Sequence, residues 1–484
     1  MNYGQFLNMI PEVTLTVILI LVFLADMLCS RDRCVKIKTM QVLVSLLLCA
    51  QLFACAMAVP ATAFGGMYVA SQAANVMKMI LTLGTLVVVI MAQPWLRNEA
   101  GNRVGEFYEL VVSTLLGMFI MTSSGNFLMF FLGLEMASVP MACLVAFDKW
   151  KKNSAEGAAK YILVATFSSG VMLYGISFVY GATGTLYFDD VAQRIAFFSQ
   201  FKSQVPMMLM GLVFFFSGLG FKLSLVPFHF WTADTYEGAP TPVTGYLSVV
   251  SKGAAAFALM AILVKVFAPL TEYWDYLLYI VIVLSITIAN LFAIRQKELK
   301  RFMAFSSISQ AGYIMLAVIG SSQMGMASLM YYVLVYVVAN MAVFTVISTV
   351  EQNNGGTTLM SSYDGLYQTN PKLAFLMTLA LFSLAGIPPF AGMFSKFFVF
   401  MAAAQQGSFW AYFVVFIALI NTVVSLYYYL LIVKAMYIKS SESPLPTFTT
   451  DVNTRIALAV CTAGIVLFGI CSCIYDWLFA SSVM

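Results

Sequence analysis

Four ionisable side chains fall in the middle of long apolar runs: Glu135, Lys222, Lys252 and Lys396. On insertion scales an ionised side chain at mid-bilayer costs about 2.5 to 3.5 kcal/mol, so the four together imply about 10 to 14 kcal/mol if nothing compensates them. That rivals the whole net stability of a typical folded domain. A single ion pair joining two helices would account for two of these residues. Three lysines and one glutamate cannot all be neutralised by pairing, so the surplus lysines either shed their protons or face water. Either state exchanges protons, and proton transfer is therefore the chemistry these residues suit, ahead of a purely structural scaffold. His229 is the only histidine, about two turns beyond Lys222. It is the one side chain here that titrates near neutrality without help, although a lone membrane histidine also serves as a hydrogen-bonding group between helices. Ser224, Ser251, Ser306, Ser309 and Tyr313 offer intervening hydroxyls, but such residues are common in helix packing and receive no role. Lys78 and Lys265 sit about a turn from helix ends, where snorkelling is expected, and Lys78→Ala should then be nearly silent. Glu12 and Asp26 lie near the ends of the first helix, which leaves Glu135 as the acid expected at depth.

The elements that must hold these residues are legible from composition. Of 484 residues, 61% are hydrophobic and only 10% charged, which excludes a soluble enzyme. A span of roughly 20 to 25 residues with a short connection leaves room for about 14 transmembrane helices and no added soluble domain. Uninterrupted apolar runs place them at 6–28, 40–60, 75–94, 108–123, 126–147, 157–181, 205–231, 242–267, 273–294, 302–320, 324–349, 372–404, 408–436 and 455–480. The expected fold is an all-α polytopic membrane protein.

Loop charges give the orientation. With an outside N-terminus, eighteen cations fall in inner loops: Arg31, Arg33, Lys36, Lys38, Arg97, Arg103, Lys149, Lys151, Lys152, Lys160, Arg295, Lys297, Lys300, Arg301, Lys372, Lys434, Lys439 and Arg455. Only Arg194 and Lys202 fall outside, so both termini are expected on the outer side. The net charge of +4 thus reports membrane orientation, and no nucleic-acid partner is implied.

Helices 7 and 12 carry proline near their middles, at Pro227 and at Pro388-Pro389, and both should be broken. Lys222 and Lys396 flank these breaks. Paired interrupted helices suggest inverted five-helix repeats, helices 4–8 and 9–13, within a single membrane domain. Its parts would be 1–107 with three N-terminal helices, 108–267, 273–436, and a C-terminal helix in 455–484. The 174 residues from Lys222 to Lys396 suggest one register, placing Ser309 opposite Glu135; Phe167-Ser168-Ser169 against Phe305-Ser306-Ser307 suggests another.

Other chemistry finds no support. Gly218-Leu219-Gly220-Phe221-Lys222 lacks the spacing of a phosphate loop, and no dinucleotide fingerprint, cysteine cluster set or paired haem histidines occur. The eight cysteines read as small buried hydrophobes. The N-terminal run follows no Lys or Arg and precedes no small-residue cleavage pattern, so it is expected to stay as the first helix.

The run KLSLVPFHFWTADTYEGAPTPVTGYLSVVSKGAAAF, residues 222–257, closely resembles the subunit N family of proton-pumping NADH-quinone oxidoreductases. SLAGIPPFAGMFSKFFVF, residues 383–400, looks like that family's broken twelfth helix, and D-x-Y-E-G-A-P-T-P-V-T at Asp234 to Thr244 favours subunit N over the related subunits L and M. Ala233 departs from the proline expected before the aspartate. The resemblance covers essentially the whole chain. It implies a helix 5 glutamate in Glu135, its helix 7 partner in Lys222, a central helix 8 lysine in Lys252 and a terminal helix 12 lysine in Lys396, with His229 as a weaker connecting group. It further implies a membrane-arm subunit with no cofactor of its own, in a bacterial inner membrane. NADH or another donor, FMN, iron–sulfur clusters and a quinone, ubiquinone or menaquinone, would belong to partner subunits. The implied partners are the antiporter-like subunits L and M, small subunits such as K, A and J, the lipid bilayer and the protons themselves. A subunit of a multisubunit cation/proton antiporter and a structural scaffold are the competing readings.

Overall fold

The computed structural model describes residues 3–29, 32–99, 103–201, 205–320, 322–440 and 444–483; Arg31 and Lys202 lie outside them. Inside a bilayer every backbone N–H and C=O needs an internal partner, and helices supply one for each residue. The first membrane helices are α1 Ile10–Leu28, α2 Arg33–Met57, α3 Gln72–Glu99, α4 Val104–Thr122, α5 Phe127–Val145 and α6 Lys152–Thr183. A short amphipathic α7, Phe188–Phe201, precedes α8 Val205–Leu223 and the eight-residue α9 Trp231–Gly238. Next, α10 Thr241–Tyr246 passes through a π turn at Leu247–Ser251 into α11 Lys252–Lys265. Then come α12 Thr271–Ile294, α13 Leu299–Ile319, α14 Gln323–Asn353 and the single turn α15 Leu366–Thr369. The chain closes with α16 Pro371–Ala385, α17 Ala391–Ala404, α18 Phe409–Tyr437, α19 Val452–Ile470 and α20 Cys473–Ser481.

Thirteen helical segments among the described residues are long and apolar enough to cross a membrane. The apolar α16 and α17 are each too short and together take the place of the fourteenth. The membrane windows of α13 and α14 are wholly buried within the chain, whereas most of α1 and α18 faces outward, so α13 and α14 form the centre.

Contacts gather the basic loops at one end. Lys36 pairs with Asp26 at 2.8 Å, the Arg33 guanidinium donates to Arg97 O, and Arg103 donates to Phe147 O. Further along, Lys160 and Arg301 both reach Asp234, and the Gly365 N–H donates to Ala435 O. At the opposite end a two-stranded hairpin, β1 Ala61–Ala63 and β2 Tyr68–Ala70, pairs antiparallel with Ala63 opposite Tyr68.

Four sequence expectations change. The run 455–480 is two helices, because Cys471 adopts an extended conformation that ends α19. The connection between the sixth and seventh spans contains α7, which opens on Asp189 and Asp190 and is too mixed in polarity to register as an apolar run. Among the cysteines only Cys55 and Cys461 are buried, while Cys34, Cys49, Cys143 and Cys473 are exposed. In a bilayer an apolar thiol has no need to be inside the protein. The two interruptions also set their own register. Ser224 and Gly386 both have positive φ, and Leu225 N–H reaches back to Gly220 O as Ile387 N–H reaches back to Phe382 O. Superposing these turns separates Pro227 from Pro389 by 162 residues, so neither register read from the sequence brings the two breaks together.

Candidate functional site

Close helix crossings place the first part of the site. A Cβ on Gly117 of α4 would come within 2.4 Å of Ala137 N on α5, and one on Gly133 of α5 within 2.5 Å of Met121 N. Only glycine permits this approach, which fixes the α5 segment carrying Glu135 and Ser138. The segment is started by Asn126, whose side chain accepts the Leu128 N–H at 2.7 Å.

Lys222 occupies the last turn of α8, buried, with its ammonium directed at α5 and α6. Nζ donates to Ser138 Oγ at 2.9 Å, Tyr161 OH at 3.3 Å and Ala137 O at 3.5 Å. Beyond it the helix stops, and the freed backbone is re-satisfied locally. The Trp231 indole donates to Phe221 O at 3.2 Å, and Val226 N–H donates to Ser285 Oγ at 2.9 Å. A cation at the C-terminal end of a half-helix is also favoured by the helix dipole.

Lys252 follows directly on the π turn, a local widening that recurs where a helix must re-aim a side chain. It is buried, donates to Ser307 Oγ of α13 at 2.7 Å, and lies 5.6 Å from the Tyr236 ring centroid. Tyr236 OH and Ser307 Oγ are themselves 3.1 Å apart. Lys396 lies on the far side of the second break. Its Nζ donates at 3.0 Å to Ala385 O, the last residue of α16, and sits 5.0 Å from the Tyr313 ring centroid. Gly386 makes this possible: it has φ +88°, and a Cβ there would press on Lys396 Cδ at 3.1 Å.

Polar groups fill the interval between Lys252 and Lys396. Ser306, adjacent in sequence to Ser307, is 2.6 Å from Tyr429 OH. Gln310 donates to Tyr429 OH and to Leu384 O, both at 3.3 Å, and accepts from Tyr332 OH. Leu384 precedes the carbonyl that Lys396 holds. A cavity of about 10 Å³ lined by Gln310, Tyr332, Tyr336 and Lys396 has room for roughly one water. Between Lys222 and Lys252 the fill is aromatic instead, Tyr161 against Trp231 at 5.1 Å and Trp231 against Tyr236 at 6.4 Å.

The expected Glu135–Lys222 ion pair is not formed. Among the described residues no carboxylate lies within 4.0 Å of Lys222, Lys252 or Lys396. Glu135 is partly exposed, on an α5 stripe with the exposed Leu128, Leu132 and Val139, one turn from the Ser138 that holds Lys222. His229 is buried in the first break and stacked on Phe230.

The snorkelling reading of Lys78 is overturned. Lys78 is fully buried and pairs with Glu12 Oε1 at 2.5 Å. Tyr68 OH on β2 donates to Glu12 Oε2 at 2.9 Å and accepts from Lys78 at 3.2 Å. Glu12 is therefore the acid buried with a lysine, and the hairpin covers a helix end that the sequence leaves open. Lys265 behaves as expected, part-exposed and 3.0 Å from Asp189. Sequence reading missed Ser138, Tyr161, Tyr236 and Ser307 as lysine partners. The spacing of Ser138 one turn from Glu135 was a signal for the first, whereas the others come from distant helices.

The family model described as NADH:quinone oxidoreductase/Mrp antiporter, TM, matches residues 124–425. NADH-quinone oxidoreductase subunit N of Phocaeicola vulgatus is 57% identical over the full length of both chains. Its counterpart from Azobacteroides pseudotrichonymphae is 49% identical over 99% of this chain and 98% of its own. A chain of respiratory complex I from Thermus thermophilus superposes with a TM-score of 0.79 at 30% identity, covering 95% of this chain and 97% of that one. A chain of the Mrp complex from a Dietzia species shares the fold, with a TM-score of 0.83 at 20% identity over 100% of this chain and 97% of that one. This chain belongs to the subunit N family of NADH-quinone oxidoreductases, within the wider NADH:quinone oxidoreductase/Mrp antiporter family.

Proposed function

We propose that the chain is a proton-translocating membrane-arm subunit of a bacterial respiratory NADH-quinone oxidoreductase, with protons passing along Lys222, Lys252 and Lys396. The observation that carries this reading is that three buried lysines on separate helices are held without a carboxylate: Lys222 by two hydroxyls and a carbonyl, Lys252 by a hydroxyl and a ring face, Lys396 by a carbonyl and a ring face. The hydroxyls at Lys222 and Lys252 can serve an ammonium or a neutral amine, since a hydroxyl donates as well as accepts, while the carbonyl and ring face at Lys396 favour the ammonium without supplying a counter-charge. A carboxylate at contact distance would fix the charge. Moving one charge against about 150 mV costs roughly 3.5 kcal/mol, close to the ~2.5 to 3.5 kcal/mol of placing one ionised lysine at mid-membrane. Gain or loss of a single charged neighbour is thus enough to gate a proton. Glu135, one turn from the Ser138 that holds Lys222 but not itself in contact with the lysine, is the neighbour suited to switching, and its place on an outward stripe lets an adjoining subunit alter its charge. His229 is a weaker connecting group toward Lys252.

Helix lengths and the matching breaks support inverted repeats, α4 to α11 and α12 to α18, packed on the N-terminal α1 to α3, with α19 and α20 at the C-terminus. The basic end would face the cytoplasm, leaving both termini on the outer side of the inner membrane. Redox energy would come from partners holding the NADH or other donor site, FMN, iron–sulfur clusters and quinone, through contacts with subunits such as L, M, K, A and J. Affinity purification tests the assignment. Recovery with iron–sulfur subunits and quinone-reductase activity coupled to proton pumping is expected, and recovery with only small antiporter subunits plus sodium-dependent growth would replace it with the antiporter reading.

A further inference from the structure

A groove of about 740 Å³ opens at the basic end between the start of α16, the segment 444–451 and the start of α19. Its rim is built rather than incidental. The Asn370 side chain donates to Pro446 O at 3.2 Å and accepts the Phe448 N–H at 3.3 Å, clamping the segment to α16. The mouth carries two cations, Lys372 and Arg455, both exposed, and neither lies within 4.0 Å of a carboxylate among the described residues. Arg455 donates from Nε to Thr450 Oγ1 at 3.1 Å, which leaves its other guanidinium N–H groups without a partner in the groove lining among the described residues. Threonine hydroxyls at 447, 449 and 450 line the same level. Further along, the walls are mostly apolar, with Leu373 and Leu376 on one side and Leu458, Ala459 and Ala463 around Thr462 on the other.

Charge at the membrane surface above an apolar cleft along the helices matches one kind of molecule. We propose that this groove binds an anionic phospholipid of the inner leaflet, its phosphate between Lys372 and Arg455 and one acyl chain along Leu376 and Leu458. A free phosphate would satisfy the mouth but leave the apolar walls uncovered, and a zwitterionic lipid would bring its own cation against the two already present. Each basic residue near an anionic headgroup contributes about a factor of five, so the pair sets a preference of roughly thirtyfold for an anionic over a zwitterionic headgroup.

The test uses the intact complex in detergent, with photoreactive acyl chains on phosphatidylglycerol and on phosphatidylcholine. Peptide mapping should locate the phosphatidylglycerol label on 373–376 or 458–463, with roughly thirtyfold less from phosphatidylcholine. Lys372→Gln with Arg455→Gln should remove that preference. Ala459→Trp, an exposed position facing the cleft, should block labelling while leaving the mouth intact. Excess inorganic phosphate should compete only weakly. Equal labelling by both lipids, loss of labelling to phosphate alone, or absence of label from the groove because a neighbouring subunit fills it would each overturn the proposal.

Discussion

Replacing Lys78 by alanine leaves Glu12 buried opposite an empty site. In the intact protein the Glu12 carboxylate is held by Lys78 at 2.5 Å and by Tyr68 OH at 2.9 Å, and both charged side chains are almost fully shielded. Removing one member of a buried pair typically costs about 3 to 5 kcal/mol, because the survivor keeps its desolvation penalty and loses its compensation. Replacing both members with neutral groups of similar shape costs far less. Lys78→Ala should therefore lower the thermal midpoint of the assembled complex and the yield of this chain within it, while Glu12→Gln with Lys78→Met recovers most of both. Midpoints can be read from native-gel integrity across a temperature series. The proton-to-electron ratio of complexes that do assemble should stay at the wild-type value, since the pair ties α1 and the hairpin to α3 and shares no hydrogen-bond partner with the groups joining Lys252 to Lys396. A Lys78→Ala complex as stable as wild type, or a double variant no better than the single one, would refute this reasoning.

Two further outcomes follow from the site geometry. Ser307→Ala removes the oxygen 2.7 Å from Lys252, and a charge-assisted bond of about 1.5 kcal/mol corresponds to roughly tenfold slower pumping in proteoliposomes; Ser307→Thr should retain most of the rate, and wild-type pumping by the alanine variant would remove Ser307 from the path. At the basic end, burial pushes the Asp234 carboxyl upward, but bonds from Lys160 and Arg301 outweigh it and hold it below its ordinary value of 3.8. A carboxyl depressed in the folded state adds stability that is present above its unfolded value and lost as pH falls through the folded one. The stability gap between wild type and Asp234→Asn should be constant from about pH 7 to 5 and close toward pH 3, and a gap independent of acid would contradict the network.

The spans, the two breaks and the three lysines were legible because each is written in local composition: an apolar run, a proline within it, a charge where none is expected. Lys78 was misread because its burial depends on Tyr68 from the hairpin and Glu12 from another helix, contacts that no window of sequence contains. Glu135 was placed correctly on its helix, yet the face it occupies depends on how α4 and α5 cross at Gly117 and Gly133. Depth along a helix is set by counting residues, whereas direction around it is set by packing. The hydroxyls that hold the lysines were invisible for the same reason. Ser138 and Ser307 look like many other serines in membrane helices until the ammonium groups are brought to them.

The central claim is that the lysines carry protons, and the proton-to-electron ratio of the reconstituted complex measures this directly. With Glu135→Ala, Lys222→Ala and Lys396→Ala combined in an assembled complex, the proton-to-electron ratio and the coupled quinone reductase activity should both fall. Pumping at the wild-type ratio with all three residues changed would contradict the account.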